Sequence, residues 1–431
     1  MTSRSASLWR HHDFRLIWAG DTVSVFGMQI VGLAIPILAV QVLEANEVQM
    51  GLLGALQMLA FLLLSLPAGA WVDRWRKKRV LVIGDLTRAV LLLALPLAWW
   101  AGVLAMWQVY VVALVTGAVT VFFDVANQSY LPQIVEGDQI ADANGKLQAS
   151  QQTAAVAGPA LGAVLVRVVG SPYAIAVTSV CMALSSLFVS RVRHVEQAPD
   201  RQARRPLRTE IGEGLSFVVR HPLLVRITAC TGLSNFTSGF VEALFVIYVL
   251  RTLGLAETTL GLLLSVGAAG GLLGALSAAR FAAWVGEGRS IPLAALVVPV
   301  GAVATPLASA LPTTVPVLMA GALLMGWSVV VYNIVQVSFR QRLCPKPLLG
   351  RMNASIRFLV WGPIPLGALT GGFVGAAVGV VPALWATVVL FALAALPVVL
   401  SPLPMMRDLP RSLDALSGEA ESDEADTRPV R

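Results

Sequence analysis

Charge is scarce in this 431-residue chain: Asp, Glu, Lys and Arg together make up 13%, about half the share found in ordinary soluble domains. The buried fraction rises only slowly with chain length, so a water-soluble globule of this size would need far more polar covering. A soluble fold is thereby excluded. The net charge of +7 marks no nucleic-acid footprint, because it lies in short blocks between long apolar runs. Cysteine and histidine are equally sparse. Cys181, Cys230 and Cys344 stand far apart with no CxxC pair, and His11, His12, His194 and His221 fall in loops or at helix entries. No disulfide framework, metal set or cofactor is expected. Gly267, Gly270, Gly271 and Gly274 lack the Lys-Ser/Thr ending of a phosphate loop. Their expected role is close helix packing by small residues.

Hydrophobic residues make up 57% of the chain. A bilayer core needs roughly 20 helical residues per crossing, because every backbone polar group must be satisfied within the segment. Twelve runs meet that length, at about 15–42, 49–72, 80–101, 104–130, 148–170, 172–190, 223–250, 258–285, 291–311, 314–338, 352–379 and 381–403. The fold class read from them is an all-α membrane protein of 12 transmembrane helices. The apolar run behind Arg4, Arg10, His11 and His12 is longer than a signal-peptide core, so a retained first span is expected.

Basic residues crowd alternate loops. Arg74, Arg76, Lys77, Lys78 and Arg79 follow span two; Arg191, Arg193, Arg201, Arg204, Arg205, Arg208 and Arg220 follow span six; Arg340, Arg342, Lys346 and Arg351 follow span ten. The opposite loops offer only Arg251. Lys and Arg resist translocation, which places both termini in the cytoplasm. The acidic loop after span four, with Glu136, Asp138 and Asp142 against Lys146, weighs little in that rule.

The domain reading is a six-helix bundle at 1–190, a cytoplasmic linker at 191–222, a second bundle at 223–403 and a tail at 404–431. Seven acidic residues from Asp408 to Asp426, among Ser, Pro and Ala, read as a disordered tail. An internal repeat supports the halves: a shift of 210 pairs Ser24 with Ser234, Phe26 with Phe236 and Gly51-Leu52-Leu53 with Gly261-Leu262-Leu263. A shift of 209 pairs Ser129 with Ser338 and Asn144 with Asn353. Carriers are commonly built from such duplications around a central site.

Between spans two and three stands Gly69-Ala70-Trp71-Val72-Asp73-Arg74-Trp75-Arg76-Lys77-Lys78-Arg79, followed by Asp85 and Arg88. This resembles the loop signature of the major facilitator superfamily, with Arg76 replacing the usual second glycine. Gly158-Pro159-Ala160-Leu161-Gly162-Ala163 in span five resembles the Gly-Pro signature of that superfamily's exporters. The stretch from Leu131-Pro132 through Asn144 to Gln148-Ala149-Ser150 is similar to the branch holding the enterobactin exporter and the macrolide efflux proteins. The resemblance implies two pseudo-symmetric six-helix bundles rocking about a shared cleft, usually powered by the proton gradient.

Ionisable groups inside the membrane cost at least about 2.5–3.5 kcal/mol, so each is a candidate for function. Asp21 lies roughly 10 Å beyond Phe14 at the helical rise, and Glu242 about 28 Å along span seven. Both are candidate proton or cation sites. Asp85 and Arg88, three apart on one helical face, can neutralise one another. With Asp73 and Asp124 they form a candidate gate on the cytoplasmic side. Arg167 and Arg226, near span ends, read as snorkelling side chains. Gln29, Asn235, Phe236, Tyr332, Asn333 and Gln336 are candidate cavity residues, and so is Arg357, which the resemblance brings toward the span-two loop. The expected function is secondary active efflux of a hydrophobic or amphipathic small molecule in exchange for protons, by a monomer in the bacterial inner membrane, with lipid as its surroundings and no nucleic-acid partner. An importer on the same fold is the alternative. An embedded enzyme acting on lipid-linked substrates would want clustered His, Asp or Glu at the membrane surface, and none stands in catalytic spacing.

Overall fold

The computed structural model describes residues 8–72, 74–135, 139–194, 196, 216, 218–343 and 349–409. Most of the linker and nearly all of the acidic tail lie outside the described residues. In the first half, α1 spans His12–Ile37, α2 Glu47–Val72, α3 Lys77–Trp100, α4 Met106–Ile134, α5 Ile140–Val169 and α6 Ser171–Ser190. In the second, α7 spans Pro222–Ile247, α8 Glu257–Val285, α9 Glu287–Leu307, α10 Thr314–Leu343, α11 Leu349–Trp361, α12 Pro363–Val378 and α13 Val380–Val399. Among the described residues, twelve helical segments are long and apolar enough to cross a membrane, and none is a strand.

Two departures from the sequence reading have local causes. Helix α5 begins at Ile140, well before the apolar run, because Asp142 and Lys146 pair one turn apart and carry the helix into the polar interface. The eleventh crossing is two helices, parted at Gly362. Pro363 and Pro365 have no amide hydrogen to offer Leu359 and Trp361, so the ladder stops there, and the Val360 carbonyl at the break accepts from Asn235 Nδ2 at 2.8 Å.

The repeat is written into the backbone. Helices α1 and α7 each run on into a π-turn, Leu38–Val42 and Tyr248–Thr252, 210 residues apart. Both segments then pass through the left-handed region, at Glu44 (φ 51°) and Gly254 (φ 62°), before the next helix opens on Glu47 or Glu257. At the other end of the halves, Gly170 (φ 88°) and Gly379 (φ 89°) join α5 to α6 and α12 to α13. Two six-helix bundles of the same design thus face each other. Helices α2 and α5 of the first meet α12 and α8 of the second.

Candidate functional site

The two bundles touch along a seam, and the seam is strongest at the end away from the termini. Gly51 on α2 lies against the Ala368 carbonyl and Gly372 on α12, while Gly372 in turn lies against Glu47 and Val48. On the other flank, Gly261 on α8 abuts Ala163 and the Pro159 carbonyl on α5. Absent side chains let these backbones approach closely, the usual packing device where lipid removes any hydrophobic drive between helices.

Polar clasps close the same end. Arg251, just past α7, donates from Nη1 to the Ala45 carbonyl at 2.7 Å and from Nη2 to the Val40 carbonyl at 2.6 Å. Gln41 Nε2 donates to Glu257 Oε1 at 2.5 Å, Arg167 Nη1 to Thr258 Oγ1 at 3.4 Å, and the Ala160 amide to Ser265 Oγ at 3.2 Å. These five hydrogen bonds between the halves all lie at this one end or on the flank beside it. Arg167 therefore does more than snorkel.

The span-five motif sits inside this junction. Gly158 packs on Gln29 and Gly162 on Ile30 of α1, while the Pro159 carbonyl faces α8. Gln29 is thus a half-buried wall residue where three helices meet.

Midway along α2 the seam ends in an aromatic stack. Phe61 and Trp361 lie 4.7 Å apart, centroid to centroid, from opposite halves. The Arg357 guanidinium covers both rings, 4.5 Å from Phe61 and 5.1 Å from Trp361. It therefore sits at mid-depth over α2, where a cation gains from the ring faces, and not at the span-two loop as the resemblance implies. Of that loop, Gly69 lies in the last stretch of α2, Asp73 lies outside the described residues, and Arg74 and Arg79 are exposed. Lys77 opens α3. Lys78 ties the loop to the start of the linker, its Nζ donating to the Val192 carbonyl and its amide to Glu196, each at 2.6 Å.

Beyond the stack lies the first half's charge cluster. Asp85 (0% exposed) and Arg88 (2%) form a buried ion pair. Ser185 Oγ donates to the other Asp85 oxygen at 2.6 Å, and the Arg88 guanidinium lies 4.2 Å from the Phe123 ring centroid. Asp124, on α4, feels both Arg88 and Arg357. Its side chain is exposed. Charges thus alternate from Asp85 through Arg88 and Asp124 to Arg357, crossing from one half to the other.

Asp21 stands beside this chain. It is 5% exposed, its Oδ1 accepts from Asn127 Nδ2 at 2.9 Å, and its Oδ2 has no hydrogen-bond partner among the described residues. Glu242, in the half of α7 remote from the termini, is exposed like Asp124.

The polar candidates of the second half divide. Asn235 satisfies the break after α11, and the Phe236 carbonyl is the surface on which Gly367 packs. Tyr332 is buried, its hydroxyl 2.9 Å from Thr231 Oγ1 and donating to the Ile227 carbonyl at 3.2 Å. Gln336 is buried and donates to Asn333 Oδ1 at 3.3 Å, while Asn333 itself is exposed. Arg251 and Gln41 were not among the candidates. The signal that finds them is the 210-residue offset itself, which makes 41 the counterpart of 251 and Glu47 the counterpart of Glu257.

Comparison with known proteins agrees with this architecture. The chain is 29% identical over 430 residues to the multidrug efflux pump Tap of Mycobacterium tuberculosis, covering 96% of this chain and 94% of the pump. It is 23% identical over 348 residues to the enterobactin exporter EntS of Salmonella typhimurium, covering 80% and 81%. The match to YvqJ of Bacillus subtilis, an uncharacterized MFS-type transporter, is 27% over 210 residues and spans 48% of this chain and 50% of that protein. Among solved structures, a bacterial homologue of the human lysosomal transporter Spinster, in an inward-facing and unoccupied conformation, superposes with a TM-score of 0.72 at 13% identity, covering 91% of this chain and 97% of that one. The sequence model of the Major Facilitator Superfamily matches residues 17–362, and the chain belongs to that superfamily of transporters.

Proposed function

We propose that this transporter exports a hydrophobic or amphipathic small molecule in exchange for protons, by alternating access between the halves 1–190 and 223–403. The observation that carries the reading is the one-sided seam: the contacts of Gly51, Gly372 and Gly261 and the hydrogen bonds of Arg251, Gln41, Arg167 and Ala160 gather toward the end away from the termini. With the basic loops in the cytoplasm, this arrangement is the inward-open state, ready to load from inside the cell or from the inner leaflet. The efflux activity named for Tap and EntS supports the outward direction. Asp21 supports the coupling, since a buried carboxylate with one bare oxygen is a place where a proton can be taken up and released.

The cleft walls suit an amphipathic cargo. Asp124, Glu242 and Arg357 are its accessible charges, set among apolar spans, and a few placed polar groups in an apolar cavity orient a ligand without excluding greasy ones. The test uses inverted inner-membrane vesicles containing the protein and a panel of fluorescent amphipathic dyes and antibiotics. Energised vesicles accumulate an exported compound, and a protonophore abolishes the accumulation. Depletion on energisation would mean import, and accumulation that survives the protonophore would remove the proton.

A further inference from the structure

A second concave site lies on the outer wall of the first bundle, away from the cleft. It is a crevice of about 570 Å³ between α3 and α4, next to the turn that joins α2 to α3. Arg74, Arg76 and Arg79 line it together with the apolar Ile83, Val119 and Phe122. All three guanidinium side chains are exposed, and among the described residues none is within ion-pair distance of a carboxylate. Trp71 and Trp75 brace the rim, their rings 5.9 and 5.6 Å from that of Phe122. Tryptophan at this level marks the headgroup layer.

The apolar lining continues beyond the crevice. Ile83, Leu86, Val90, Leu93 and Leu97 are all exposed on α3, and their three- and four-residue spacing sets them in one stripe. Arg79 lies one turn below Ile83, at the polar end of the stripe. Positive charge at the interface followed by a narrow apolar track is the complement of an anionic headgroup followed by an acyl chain. A crevice of this size falls within the range of about 300–1,000 Å³ for small-molecule sites.

We propose that this crevice binds one anionic phospholipid from the leaflet at the terminal end, its phosphodiester on Arg74, Arg76 and Arg79 and one acyl chain in the slot over Ile83, Val119 and Phe122. The site requires only that the spans lie in a membrane, so it stands or falls apart from the transport reading. The wall behind the slot is the α3–α4 contact: Gly84 faces Val119 and Phe123, the latter being the ring that Arg88 covers. An occupied slot therefore stiffens the packing that holds the buried Asp85–Arg88 pair.

The experiment places the full chain in phosphatidylcholine nanodiscs doped with photoactivatable phosphatidylglycerol or, in parallel, photoactivatable phosphatidylcholine, and maps the cross-links by peptide mass spectrometry. Phosphatidylglycerol is expected to label the segments around 79–87 and 119–122 in preference to phosphatidylcholine, and R76Q is expected to lower that preference roughly fivefold, the value of one basic residue near an anionic surface. R74Q/R76Q/R79Q is expected to erase it. If the triple variant does not insert, the single variant carries the test. I83W, which fills the slot and keeps the arginines, is expected to remove the labelling within the crevice. Inorganic phosphate or glycerophosphoglycerol at millimolar concentration should not displace the lipid. Equal labelling by the two lipids, labels elsewhere on the surface, labelling unchanged by I83W, or full displacement by free phosphate would each overturn the proposal.

Discussion

Arg251 and Gln41 hold equivalent places in the two halves, 210 residues apart, and reach across the seam in opposite directions. Arg251 seizes the carbonyls of Val40 and Ala45 where α1 unwinds, and Gln41 reaches Glu257 at the entry to α8. The pseudo-twofold axis runs between these two crossings. Whatever opens the cleft at this end must break both.

Removing the stronger clasp should loosen that end. In Arg251→Ala two charge-assisted hydrogen bonds are lost, each partly exposed to water, so a combined loss of about 1.5 kcal/mol is a fair scale. That shifts an open-to-closed ratio by about tenfold. Spin labels at the paired positions Leu43 and Leu253 provide the readout: the long-distance population in pulsed dipolar spectra should rise accordingly, and an unchanged distribution would show the clasp to be incidental.

Glycine seams provide a second, independent handle on the same movement. A β-carbon on Gly261 would run into Ala163 and the Pro159 carbonyl, whereas one on Gly32 meets nothing within 4 Å. Gly261→Val is expected to force α5 and α8 apart and reduce transport at least tenfold with the protein still inserted. Gly32→Ala should transport normally. Equal activities, measured per molecule of protein in the membrane, would contradict a tight seam.

Much of this architecture was legible in the residues, and the physical reason is that lipid leaves a helix few options. Span length, basic loops and the offset of 210 follow from backbone satisfaction, translocation cost and duplication, each acting locally along the chain. The three-residue spacing of Asp85 and Arg88 is likewise a local property, and the two do pair. What local pattern cannot show is facing across halves. Asn235 looks equally suited to a cavity wall or a helix bridge until the helix is seen to break at Gly362 and the Val360 carbonyl beside that break to accept from it. Arg357 carries no mark in its neighbours that Phe61, on another bundle, will lie beneath it. Arg251 reads in the sequence as an exception to the positive-inside pattern, and only its distance from Val40 and Ala45 gives it a task.

The buried pair allows an energetic test. Arg88→Met strands the Asp85 carboxylate with hydroxyl donors such as Ser185 and without its cation, and removing one member of a buried pair costs about 3–5 kcal/mol. Adding Asp85→Asn removes the orphaned charge. The double variant should therefore melt at a higher temperature in detergent than Arg88→Met alone, with more than half of the loss recovered. Additive losses would mean that the two side chains do not compensate each other.

Asp21 provides the test of coupling. Asn at this position keeps an oxygen for Asn127 and nearly the same volume, so the local hydrogen bond at 2.9 Å has no reason to break, but an amide cannot exchange a proton at the bare second position. Asp21→Asn is therefore expected to reduce substrate-driven proton movement in proteoliposomes at least tenfold, read with an entrapped pH dye, while melting temperature and substrate affinity stay close to those of the parent. Glu242→Gln serves as the comparison: it changes an accessible acid of the cleft, so its expected effect is on substrate affinity, with the proton stoichiometry kept. If Asp21→Asn transports with full coupling and Glu242→Gln does not, the coupling role moves from α1 to α7, and the bare oxygen of Asp21 has only a structural part.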